Sequence, residues 1–131
     1  MRATLRLFLA IAVGFWLAAP ASAQPILSRA IINTATSGDN AIIAASGTLT
    51  IRVYAIEYQS SGTVTIVLKC GSTTVVSAQP FTIGGGVIRD PIRLPTRVPG
   101  DPLYTCAAGE AFTINLSGNV QVSGNAYYTQ N

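Results

Sequence analysis

Residues 63–70 read TVTIVLKC, with Val64, Ile66, Leu68 and Cys70 alternating with Thr63, Thr65, Val67 and Lys69. A period of two is the signature of a strand, whose successive side chains point to opposite faces. One face here is apolar and the other mostly polar, so the strand covers a core on one side, and Cys70 falls on that side. Upstream, TLTIRVYAIEY (48–58) continues the pattern. Counted straight through, Leu49, Ile51, Val53 and Ala55 point one way, and Thr50, Arg52, Tyr54, Ile56 and Tyr58 the other. Ser60 to Gly62 supply a turn between the two segments.

Downstream, AFTINLSG (111–118) sends Phe112, Ile114 and Leu116 inward, with Thr113, Asn115 and Ser117 outward. After Gly118-Asn119, VQVSGNAYY (120–128) places Val120 and Val122 inward, and the two runs are expected to form a hairpin. Shorter strand candidates are AIINTAT (30–36), NAIIAAS (40–46) after the SGDN turn (37–40), TTVVSAQ (73–79) and FTIGGGVIR (81–89). No segment beyond residue 23 shows a capped apolar period of 3.6. Turn signals about every 8 to 12 residues predict an all-β antiparallel sandwich of jelly-roll type. Gly84-Gly85-Gly86 has no helix after it to form a phosphate cradle, so it reads as a bulge or bend.

The N-terminus reads as a leader. Arg2 and Arg6 precede the apolar run Leu7 to Ala19, and Pro20 precedes Ala21-Ser22-Ala23, the pattern of a secretory signal peptide cleaved between Ala23 and Gln24. About 13 apolar residues at 1.5 Å rise fall short of a roughly 30 Å hydrocarbon core, so no membrane span is expected in the mature chain. The mature protein is then a single domain, residues 24–131, exported to the periplasm or secreted.

Two of the eight basic residues leave with the leader and none of the five acids do, so the formal charge falls from +3 to +1. The basic character belongs largely to targeting, and no nucleic-acid partner is expected. Charged side chains make up about 10% of the chain, against roughly 25% in ordinary globular proteins. Such a surface suits contact with copies of the chain or with a partner, because uncharged polar groups cost less to bury than ions.

There is no histidine. That removes Ser-His-Asp and Cys-His catalysis and histidine metal sites. No catalytic residue, metal or cofactor is expected. The two cysteines, Cys70 and Cys106, lie in the mature chain, and an even count in an exported protein reads as a disulfide. The spacing is not C-x-x-C, which argues against a reactive thiol.

Residues 89–102, RDPIRLPTRVPGDP, carry Arg89, Arg93 and Arg97 with four prolines. Proline at every fourth position forbids a helix interior or a central strand, so this is an extended loop or edge segment. Its arginines are candidates for gripping anionic groups or aromatic faces; the plainer reading is that prolines block edge pairing and arginines keep the surface wet. Arg52, Tyr54, Ile56 and Tyr58, on one expected outward face, form the candidate contact surface, since tyrosine and arginine are favoured at interfaces. The same side chains also suit packing beneath a second sheet.

The runs TATSGDNAIIAA (34–45) and AAGEAFTINLSGNVQVSGNAYY (107–128) resemble a family of short all-β proteins of tailed phages and prophages, encoded among virion structural or head-decoration genes. The resemblance implies a compact jelly-roll sandwich that works by assembly, often as a trimer, and brings no catalytic residues. A leader, a cysteine pair and the proline-arginine stretch depart from that pattern, and they point to an exported relative adopted by a host. Three functions are therefore weighed. The first is self-assembly or surface attachment. The second is a small carbohydrate- or ligand-binding module with tyrosines stacking on sugar faces. The third is a hydrolase using paired acids from Glu57 and Glu110 or from Asp90 and Asp101, with Asp39 the remaining acid; no spacing singles out a pair.

Overall fold

The computed structural model describes residues 26–89 and 100–131. The leader and the Ala23–Gln24 junction lie outside them, as do Asp90, Arg93 and Arg97. Nine strands follow in order: β1 (Ser28–Thr34), β2 (Gly38–Ile43), β3 (Ile51–Ser60), β4 (Val64–Cys70), β5 (Thr73–Phe81), β6 (Gly86–Arg89), β7 (Tyr104–Cys106), β8 (Phe112–Leu116) and β9 (Val122–Gln130). One sheet has the order β1-β9-β3-β6, with β7 also on β3; the other runs β2-β8-β4-β5. All pairings are antiparallel. The two sheets pack face to face as a β-sandwich, as the sequence predicts.

Alternation builds the core where its phase is unbroken. Val64, Ile66, Leu68 and Cys70 of β4 and Phe112, Ile114 and Leu116 of β8 are all buried, as their period of two requires. They meet Ile32, Ile51, Val53, Ile56, Tyr58, Val122 and Ala126 from the facing sheet in one continuous cluster. Each large aliphatic side chain withdrawn from water there contributes about 1.5–3 kcal/mol. Phe112 stacks on Tyr104 at 5.9 Å between ring centroids, and Phe81 meets Tyr58 edge to face at 5.7 Å.

Cys70, at the end of β4, is bonded to Cys106, at the end of β7, with an S–S distance of 1.98 Å. The bond ties one sheet to the other through the core, where both residues are buried.

Two expectations are corrected. The runs around Gly118-Asn119 do not form a hairpin: β8 pairs with β2 and β4, while β9 pairs with β1 and β3 in the other sheet. The turn residues specify a reversal, and the partners on either side decide which sheet receives the next strand. The one hairpin among the described strands is β4–β5, where Cys70 opposes Thr73 across Gly71-Ser72. Gly71 has φ +54° and Ser72 is not in the positive region, the φ pattern of a type II′ turn with glycine first.

The second correction concerns β3. Val53 pairs with Tyr128 and Ala55 with Tyr127, so Tyr54 is an extra residue on β3. This bulge shifts the alternation by one, as bulges do. Ile51 and Val53 face the core before it; Ile56 (1% exposed), Tyr58 (4%) and Ser60 (1%) face the core after it.

β6 and β7 share one lane on the free side of β3. Gly86–Arg89 oppose Ile56–Gln59, and Tyr104–Cys106 oppose Ile51–Val53. The proline-arginine stretch therefore leaves an edge lane at Arg89 and rejoins it near Leu103, whose N–H donates to the Val53 carbonyl at 2.7 Å.

Candidate functional site

The bulge at Tyr54 redistributes the expected contact surface. Arg52 is exposed, but Tyr54 (8%), Ile56 and Tyr58 are buried, so the four do not share an outward face. Tyr58 instead donates its hydroxyl to Gln79 Oε1 at 3.2 Å, inside the sandwich. What β3 does present outward after the bulge is Glu57 and Gln59. The signal lay in IEYQ itself, whose apolar-polar alternation runs out of phase with that of TLTIRV.

Glu57 and Gln59 line an open groove of about 460 Å³ with Ser123, Val87 and the glycines Gly84, Gly86 and Gly124. Glycine is what makes room. Gly86 opposes Gln59 and Gly124 opposes Tyr58 across β3. A Cβ on Gly86 would lie 2.8 Å from the Tyr58 carbonyl oxygen, and one on Gly124 would overlap the Glu57 carbonyl oxygen. The three strands thus approach closely at these glycines, and Gly86, opposite the outward-facing Gln59, leaves its part of the floor without a side chain. A second groove of about 440 Å³ shares Gln59, Gly84 and Ser123 and adds Ser61, Ile83 and Gln121.

Neighbouring amides and hydroxyls hold the lining side chains in place. Asn125 Nδ2 donates to Glu57 Oε1 at 2.8 Å. Gln121 Nε2 donates to Asn33 Oδ1 at 2.7 Å and to Ser123 Oγ at 3.3 Å. The result is a ladder of amides and hydroxyls with one carboxylate at its end.

The other acids are placed elsewhere. Asp39, on the outer face of the second sheet, accepts from Lys69 Nζ at 2.8 and 3.0 Å and from Asn115 Nδ2. The hydrogen bond from Lys69, then that from Asn115, holds its carboxyl below the usual carboxylate range. Glu110, between β7 and β8, accepts from the Ala107 N–H at 2.9 Å. Asp101, near the end of the proline-arginine stretch, is exposed. Among the described residues no three of His, Cys, Asp and Glu gather as a metal site would require. Arg89 ends β6, and Arg93 and Arg97 lie outside the described residues.

Comparison with protein-family models, with curated proteins and with solved structures finds no match to this chain.

Proposed function

We propose that this is an exported, non-enzymatic jelly-roll protein that acts by self-assembly or surface attachment. The observation that carries the reading is the composition of the outer sheet faces. Asn33, Gln59, Ser123 and Asn125 cover one, with Arg29, Arg52 and Glu57 as its charges, and Thr65, Thr113, Asn115 and Ser117 lie on the other beside Asp39 and Lys69. Its ions are few, and Asp39 and Lys69 are already paired at 2.8 Å. Surfaces of this kind lose little on desolvation. The jelly-roll assignment draws support from strand order: with β6 and β7 as one lane, β1-β9-β3-β6 faces β2-β8-β4-β5, and the connections other than the β4–β5 hairpin cross between sheets. The cystine suits an oxidising compartment, and kinship with phage structural proteins is the ancestry we favour. Size-exclusion chromatography with light scattering tests the reading; a monomer at millimolar concentration that also fails to bind cell surfaces overturns it. Recovery of a mature protein beginning at Gln24 tests export.

The groove over Gly86 and Gly124 favours a second reading, a site for a neutral polyol such as a sugar. A glycan array probed with wild type and Gln59→Ala decides it, with binding lost in the variant as the supporting outcome.

A further inference from the structure

A sandwich has four exposed strand edges, and unpaired edges recruit other strands unless they are blocked. Three of the four edges here are blocked. The lane of β6 and β7 is built from two short strands, of 4 and 3 residues. β5 carries two register shifts against β4 and Pro80 near its end. β2 is six residues long, holds Asp39, and slips register between Ala41 and Ile43.

β1 differs. It pairs with β9 over seven consecutive residues, Ser28 to Thr34, with no register shift and no proline. In the middle of its outward face stands Ile31, 65% exposed. Just before the strand, Ile26 is 96% exposed and Leu27 41%.

We propose that β1 is the assembly edge, pairing antiparallel with β1 of a second copy across a two-fold axis at Ile31. This deepens the self-assembly reading and rests on it. Faces and charges select the register. Inward and outward residues alternate along β1, so a continuous sheet requires the axis to pass at a residue, which keeps like faces together. With the axis at Ile31, all seven residues pair. Ser28 meets Thr34 of the second copy, a favoured hydroxyl pair, while Ala30 meets Ile32 on the core side and Ile31 meets its own counterpart. Arg29, the only charge on the strand, then faces Asn33. Moving the axis to Arg29 would oppose two guanidinium groups and leave only Ser28, Arg29 and Ala30 of the strand paired. A two-fold contact of this kind is isologous and closes at two copies, so any trimer must use another surface.

The experiment uses the full mature chain with Ile31→Lys, Ile31→Glu and their equimolar mixture, each followed by light scattering across a concentration series. Ile31 is exposed, so both variants keep the core, and circular dichroism identical to wild type verifies this. Each variant alone should dimerise at least about fivefold more weakly than wild type, since like charges then meet at the axis. The mixture should recover dimers, because an ammonium from one copy and a carboxylate from the other then face each other at the axis and attract. If wild type self-associates but neither variant weakens it, or the mixture recovers nothing, the β1 edge is overturned while self-assembly stands. If wild type is monomeric throughout the series, both fall.

Discussion

Gly124 shows how much can turn on a missing methyl group. Its backbone lies so close to β3 that a Cβ would overlap the Glu57 carbonyl oxygen and sit 2.7 Å from the Tyr58 Cα. Both obstacles are backbone and cannot rotate away. Gly124→Ala should therefore destabilise the fold by about 2 kcal/mol or more, at the upper end of overpacking costs, as read from urea denaturation. The glycine is visible in the sequence, but its reason is not, because the strand it presses against lies far upstream in the chain. Asp39 is a milder case. Its carboxyl is held low by Lys69 and then Asn115, so this interaction stabilises the fold above the ordinary carboxylate range and is lost as pH falls through the depressed value. Lys69→Met should raise the Asp39 titration midpoint, followed by NMR. The cost at neutral pH should stay below about 1 kcal/mol, since the pair is solvent-exposed. The difference between variant and wild type should vanish once the solution is acidic enough to protonate Asp39 in both.

At the level of strands, β4 and β8 were legible because their alternation runs unbroken from end to end, and each inward residue named from the sequence is buried. β3 was only half legible. A single extra residue, Tyr54, inverts the phase, and nothing in TLTIRVYAIEY marks the inversion except that its two halves alternate out of step. The groove residues Glu57 and Gln59 were missed for that reason, although Glu57 was weighed as an acid. The connection between β8 and β9 was misread because a turn encodes reversal and not destination. The cysteines, by contrast, could be paired from their count and the expectation of export alone. Their bond joins residues 36 apart in sequence, a loop whose closure removes about 4 kcal/mol of unfolded-state freedom in the chain-entropy model. The Cys70→Ala/Cys106→Ala double variant should lose up to about that amount in urea midpoint analysis, and β7, only three residues long, should lose amide-exchange protection first.

Across the whole molecule, the two sheets are stitched together by chain crossings and one covalent bond. Apart from the tight β4–β5 hairpin, the β6–β7 lane is the place where the path departs and returns without changing sheets. Both departure points are held: Arg89 by the ladder to Ile56, and Leu103 to Cys106 by Val53, Ile51 and the cystine. Extra length between them costs only slowly growing loop entropy, about 0.6 kcal/mol per doubling. An insertion of roughly ten glycine and serine residues after Pro99 should therefore lower stability by less than about 1 kcal/mol in thermal denaturation. Two anchored ends thus make the frame a display stand, to which foreign sequence can be grafted without rebuilding the sheets that carry it.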